Sequence, residues 1–472
     1  MFGIFYYIKR KVRVNIVKVE KRSFDFIPEN ERYGKPRSLF NIWFSANMQI
    51  AVLVTGGLAV TLGLNLFWAI IAAIVGNAIG GIFMALHSVQ GPRLGIPQMI
   101  QSRAQFGMVG ASLPLILVII LYLGSYAAGA ILGAQALHNL FPFISVSAGL
   151  VMLGLITFII TLFGYELIHI VERYLTIIFA IVYVIVTIVV LQMDFPAGSF
   201  AVSEFHLPTF IMVASLMAAF QLSYGPYVAD YSRYLPSNVS SRATFFYSYA
   251  GSVGGTVWMM ALGILLIGTI PGFVDNQTYH FSHLLGESLV IPMYVVLILG
   301  VIGVNVLNLY GAFMSTTTTV SSFIHIKSNE KSRFWLVLGT TIVATLLGFF
   351  GQSDLMEFIM LFANFIIIVM IPWSTINLVD FFLVRRGKYK TEDFFDTDGE
   401  YGKYNWIGIW ALVISVAVEI PFISTDGFTG FMAQKIGGAD LSSLIGLVVP
   451  FILYYFPMKR RLAKRERTLN KS

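Results

Sequence analysis

The sequence predicts an all-α integral membrane protein of twelve transmembrane helices, and three observations carry that expectation. Of its 472 residues, 57% are hydrophobic and 12% are Asp, Glu, Lys or Arg, against roughly 45–50% and about 25% in soluble domains. So little charge cannot solvate a globular surface of this length. The apolar residues collect into stretches long enough to cross about 30 Å of hydrocarbon, and the basic residues fall between alternate stretches. Cys is absent, which removes disulfide frameworks, thiolate metal sites and cysteine nucleophiles from consideration.

Windows of about 19 residues set the spans at 41–63, 66–86, 111–137, 143–163, 171–191 and 208–228, then 245–270, 291–314, 333–351, 355–377, 405–425 and 441–458. Residues 1–40 are polar and basic, without the apolar core and small-residue cleavage site of a signal peptide. Placed in the cytoplasm, this segment holds ten Lys/Arg, the tail 459–472 holds seven, and the even-numbered connections hold thirteen. Of the 31 basic residues only Lys435 is left outside, as the positive-inside rule requires. The net charge of +7 is thus an orientation signal with both termini inside, and no nucleic-acid partner is expected. Membrane lipid and a small-molecule substrate are the expected partners.

A helix through lipid has no need of Gly or Pro, so clusters of them at mid-membrane depth mark discontinuous helices around a cavity. Span 1 carries Thr55-Gly56-Gly57 near its middle, and span 6 carries Ser223-Tyr224-Gly225-Pro226-Tyr227. Pro226 removes a backbone donor and Gly225 permits unusual dihedrals. Spans 1 and 6 head two sets of five, residues 41–191 and 208–377. Matched breaks at the head of each set predict an inverted repeat around a central site. Spans 11 and 12, residues 405–458, fall outside it.

Blocks of residues keep one order between about 38 and 410. They are Asn41-Ile42-Trp43-Phe44-Ser45-Ala46-Asn47, Gly91-Pro92-Arg93-Leu94-Gly95-Ile96-Pro97-Gln98, and Ser102-Arg103 with Phe106-Gly107. Then come Gly164-Tyr165-Glu166 with His169 and Glu172, Pro226-Tyr227-Val228-Ala229-Asp230-Tyr231-Ser232-Arg233-Tyr234, and Asp380 through Arg385-Arg386-Gly387. Together they resemble the nucleobase–cation symporter family, with the purine–cytosine permease branch nearest. The resemblance implies a LeuT-type fold, five-plus-five inverted repeats with two extra helices, running cation-coupled uptake by alternating access in the cell inner membrane.

A planar heterocycle offers two π faces and an edge of mixed donors and acceptors, so its site needs an aromatic plate and amide partners. Tyr224 is the expected plate, where the resembling permeases generally carry Trp. Asn308 falls at the family's substrate-contacting amide, and Asn305 lies three residues before it, toward the same helical face. On span 3, Ser125 and Tyr126 are candidate lining residues, and Gly129 stands where the branch often has Asn. Backbone near Gly56 and Gly225 at the two breaks is expected to serve substrate or ion. Asn47 and Gln49, too costly to face lipid, are expected to turn inward, Asn47 as an entrance or gating residue.

Relatives that use sodium hold it between carbonyls of the broken span 1 and paired hydroxyls on span 8. The matching positions here are Ile302-Gly303, which supply no side-chain oxygen, and this favours a proton as the coupling ion. The resemblance singles out Glu172 as a gating or coupling carboxylate, while Asp230, with Arg233 nearby, reads as an inner gate. No cofactor and no metal centre is expected. The seven His are dispersed, with no HExxH and no nucleophile elbow, so an enzyme is not expected. The expected cargo is cytosine or a purine-type base; the alternative is another small ring such as pyridoxine, hydantoin or allantoin, possibly with sodium.

Overall fold

The computed structural model describes residues 25–163, 165–324, 330–425, 428–438 and 440–469, with the backbone alone for 165–173 and 469. Among the described residues nine helices are long and apolar enough to cross a membrane, ten if one sharply bent pair counts as a span. Two shorter apolar helices, Tyr174–Val190 and Trp406–Phe422, stand where the fifth and eleventh spans are expected. Among the described residues the only β pairing is a single bridge, Ser424 to Thr429. The fold is all-helical among the described residues.

Helix starts follow the capping side chains. Asn65 accepts from Trp68 N at 3.0 Å ahead of span 2 (Leu66–Ser88), and Ser240 accepts from Ala243 N at 3.3 Å ahead of span 7 (Ser241–Thr269). Asp354 does the same for span 10 (Leu355–Val379), accepting from Glu357 N at 2.9 Å. Each bond satisfies a backbone donor that a helix start otherwise leaves orphaned.

Spans 1, 2, 6 and 7 pack on one another as one group. Spans 3 (Ser112–Leu140), 4 (Val146–Phe163), 8 (Val290–Ser321) and 9 (Glu330–Gly351) form a second. Span 10 leans on spans 3 and 6 and on span 12 (Ser442–Leu469). Large apolar side chains such as Ile159, Ile181 and Phe350 stay exposed, at 55, 58 and 78%. An apolar exterior is what lipid solvates.

The described N-terminal segment and the described end of span 12 lie by the connections of one face, here called the terminal face. Ile27 N donates to Gly95 O at 2.9 Å and Tyr33 N to Tyr234 O at 2.9 Å, tying the N-terminal segment to the 2–3 and 6–7 connections. The 2–3 connection is two short helices, Gln90–Leu94 and Gln98–Phe106. Arg103 reaches from it to Phe394 O and Thr318 O, both at 3.0 Å.

The break in span 1 lies elsewhere than the glycine cluster predicts. Helices Arg37–Asn47 and Ile50–Thr61 meet at 63°, with Met48-Gln49 between them. Gln49 is extended, at φ −142° and ψ 156°, and its side chain accepts from Ala51 N at 2.8 Å to start the second half. Thr55-Gly56-Gly57 remains helical because Gly56 lets span 1 lie against span 7, where a Cβ would overlap the Met260 backbone. Those glycines serve helix approach. Span 6 is interrupted where expected, at Ser223-Tyr224 between Leu207–Leu222 and Gly225–Ser232. Both residues keep helical dihedrals, so this interruption is much milder than that of span 1.

Candidate substrate-binding site

Between the two interrupted spans lies a cavity of about 800 Å³, counting its open mouth. Its wall draws on Gln49 and Thr55 of span 1, Gly124, Ser125 and Gly129 of span 3, and Phe220, Ser223, Tyr224 and Tyr227 of span 6. Asn308 of span 8 and Phe362 of span 10 complete it. Most of the wall is apolar, with few polar groups aimed inward, as suits a flat ring.

Of the residues expected from the sequence, Tyr224, Asn308 and Ser125 line this cavity. The Tyr224 ring faces it while its hydroxyl donates to Asn47 Oδ1 at 2.8 Å. Asn47, buried at the end of the first half-helix, donates from Nδ2 to Trp43 O at 2.7 Å. It therefore positions the plate from behind. Asn308 is 4% exposed, and its amide makes no side-chain hydrogen bond among the described residues. Both donors and the acceptor remain available to a ligand.

Asn305, Tyr126, Gly56 and Gly225 do not reach the cavity wall. Tyr126 turns to span 4, its hydroxyl 2.8 Å from Thr157 Oγ1. Asn305 sits behind Gly129, donating to Tyr126 O at 3.1 Å, with its Oδ1 buried and unpartnered among the described residues. A Cβ on Gly129 would come 2.7 Å from that oxygen. Gly225 is covered by the His87 and Trp373 rings. The Glu172 side chain, with those of Glu166 and His169, lies outside the described residues.

Gln49, expected to turn inward with Asn47, does line the cavity, whereas Phe362 was not anticipated from the sequence. With Oε1 spent on Ala51 N, Gln49 keeps in the cavity wall an Nε2 donor without a partner among the described residues. The signal for it was a polar residue just past the Asn41–Asn47 block, where an extended residue needs a cap. Phe362 lies flat on Gly124, so closely that a Cβ there would overlap its ring. Nothing local to either residue announces that pairing across two helices.

Toward the terminal face the cavity ends on buried aromatic rings. Tyr227 packs on Tyr122 with centroids 4.9 Å apart and on Trp43 at 5.8 Å. Trp43 meets Tyr231 edge-on at 5.8 Å, and Tyr231 meets Tyr310 at 6.1 Å. Beyond these rings Asp230, 2% exposed, accepts from Gln98 N at 2.8 Å, and Gln98 Oε1 accepts from Ala229 N at 3.3 Å. A buried polar chain continues from Gln98 to Gln90 (2.9 Å), Asn377 (2.8 Å), Gln105 (3.4 Å) and Asp380 (2.8 Å). This chain joins spans 6 and 10 through the 2–3 connection and closes that face.

Two interrupted helices around a mid-membrane cavity, shut on one face, define a secondary transporter. The known proteins this chain resembles agree. Residues 26–446 match the family described as permease for cytosine/purines, uracil, thiamine, allantoin, and the chain belongs to that family. It is a multi-pass membrane permease and not an enzyme. YxlA of Bacillus subtilis (strain 168), provisionally named a purine-cytosine permease, is 48% identical over 449 residues, covering 95% of this chain and 98% of that protein. The purine-cytosine permease fcyB of Emericella nidulans is 26% identical over 459 residues, covering 93% of this chain and 88% of its own length. Among solved structures, Mhp1, a nucleobase-cation-symport-1 family transporter in a closed conformation with bromovinylhydantoin bound, superposes with a TM-score of 0.74. It is 21% identical, with 96% of each chain covered.

Proposed function

We propose that this permease imports a small nitrogen heterocycle, cytosine or a purine-type base, by proton symport through alternating access. The observation that carries the reading is two amides with groups left to bond, lining the same cavity as one aromatic plate. Gln49 offers a donor, Asn308 offers two donors and an acceptor, and the Tyr224 ring is held by a bond on its far side. Stacking contributes about 1–3 kcal/mol per base in nucleic-acid systems, and an edge group left unpaired on burial costs about 1–3 kcal/mol. The plate holds any ring; the amides choose among rings. The relatives' names point to the same substrate class.

Proton coupling is supported by what span 8 brings to the break in span 1. Gly300 meets it there, where a Cβ would stand 3.2 Å from Met48 O. Ile302 and Gly303 add no hydroxyl, and sodium prefers oxygen ligands. Glu172 remains the candidate coupling carboxylate. In this reading Asp230 latches the 2–3 connection to span 6 when the inner side is shut, and the repeats 41–191 and 208–377 rock about the cavity. The basic residues put the terminal face in the cytoplasm.

The test is uptake of radiolabelled cytosine and adenine into proteoliposomes, competed by hydantoin, allantoin and pyridoxine. An imposed proton gradient should drive accumulation, an uncoupler should abolish it, and replacing sodium by choline should leave it unchanged. Uptake that survives the uncoupler but needs sodium sinks the proton assignment; uptake competed only by the non-base rings sinks the substrate class.

A further inference from the structure

A second space of about 1160 Å³, counting its open mouth, lies at the terminal face. Its wall sets Arg385 and Glu400, from the connection after span 10, against Arg461, Lys464 and Arg465 near the end of span 12. The spacing of the last three places them on one helical face. Four cations thus line the space, against Glu400 as the lining carboxylate among the described residues.

Those cations are not equally committed. Arg385 donates to Glu400 at 2.6 Å and stands 3.4 Å from the fully buried Asp380. Burial works against its charge, but the two carboxylates outweigh burial and hold its pKa above the ordinary value. Arg461 is anchored by Asn405 Oδ1 at 2.9 Å, which orients the guanidinium without neutralising it. Arg465 donates to the neutral Glu400 O at 3.4 Å and stands 4.0 Å from the Glu400 carboxylate, which Arg385 already holds. Lys464 has no carboxylate partner among the described residues. Three cations, two of them held by hydrogen bonds, are left lining one space without enough negative charge to balance them.

The pocket has an aromatic rim that continues onto an apolar surface. Tyr404 is part of its wall and stacks on Trp406, with centroids 5.6 Å apart and planes 18° apart. From Trp406 an exposed apolar ridge runs along span 11 through Trp410 and Val413, at 58, 54 and 40% exposure. Trp and Tyr at this level mark headgroup depth, and the i, i+4, i+7 ridge faces hydrocarbon.

We propose that this pocket binds the phosphate of an anionic phospholipid, headgroup among Arg461, Lys464 and Arg465 and acyl chain along the span 11 ridge. Guanidinium–phosphate bonds are charge-assisted and directional, and basic pockets between helices on the cytoplasmic side suit such headgroups. A free phosphate shares the headgroup chemistry but has no use for the ridge.

The full chain in nanodiscs of phosphatidylcholine, with and without phosphatidylglycerol, tests this by native mass spectrometry of retained lipid. The wild-type chain should retain phosphatidylglycerol selectively. Arg461→Gln/Lys464→Gln/Arg465→Gln should weaken that retention about a hundredfold. Lys464→Gln alone, which removes no bond from the fold, should weaken it about fivefold. Arg460→Gln/Arg467→Gln removes charge from the same helix outside the pocket wall and should change nothing. Equal losses in the pocket and control variants would overturn the site in favour of diffuse surface charge, as would equal retention of phosphatidylcholine. Inorganic phosphate that displaced the lipid and raised the melting temperature as much would overturn the lipid assignment.

Discussion

Replacing Tyr224 by Phe and by Ala separates the two roles of that side chain. Its hydroxyl donates to Asn47 Oδ1 at 2.8 Å, with Tyr224 3% exposed and Asn47 fully buried. Phe removes the donor and strands a buried acceptor, which costs about 1–3 kcal/mol of stability. Asn47 keeps its own bond to Trp43 O at 2.7 Å, so the span 1 break persists and the ring stays near its place. Substrate affinity should then change by no more than a few fold. Ala removes the ring as well, and a lost stacking contact of about 1–3 kcal/mol raises the dissociation constant about 5- to 150-fold. Binding of radiolabelled base to the purified variants, beside their thermal unfolding curves, reads both quantities. If Tyr224→Phe lost as much binding as Tyr224→Ala while melting as the unmodified protein does, the hydroxyl and not the ring would carry recognition. The plate would then be the wrong picture.

Asn308→Ala should leave the melting temperature unchanged, because the amide bonds nothing in the fold, yet weaken base binding about 5- to 150-fold; a fall in stability with intact binding would make it helix glue. Gly56→Ala should destabilise by about 1–3 kcal/mol, because its Cβ meets the Met260 backbone, and any effect on uptake should follow the loss of folded protein. Arg385→Gln should cost about 3–5 kcal/mol, since Asp380 would be left buried with only neutral donors from Tyr389, Tyr454 and Gln105. Asp380→Asn added to it should restore most of the stability in a thermal melt; no restoration would show that the pair is not what the fold misses.

Much of the architecture was legible because lipid imposes simple demands. Span positions follow from where the apolar stretches are, and the interruption at Ser223-Tyr224 follows from a Gly-Pro pair at mid-depth. The span 1 break was misplaced because glycine has two uses in a membrane helix. At Gly56 it allows close packing, while the bend falls at Met48-Gln49, which carries neither Gly nor Pro. By spacing alone Asn305 and Asn308 share a helical face. Their three-residue spacing leaves enough rotation that Asn308 meets the cavity and Asn305 meets the span 3 backbone.

Sequence by itself determined that this chain lies in lipid, roughly where it crosses, and which family it resembles, because hydropathy and motif blocks are local properties. Tertiary structure alone decided which polar side chains are spent and which remain for a ligand. Asn47 is used up behind Tyr224, Gln49 is half used in starting a helix, and Asn308 is unused. A hydrogen bond between helices distant in the chain depends on their packing, and residue type cannot report it.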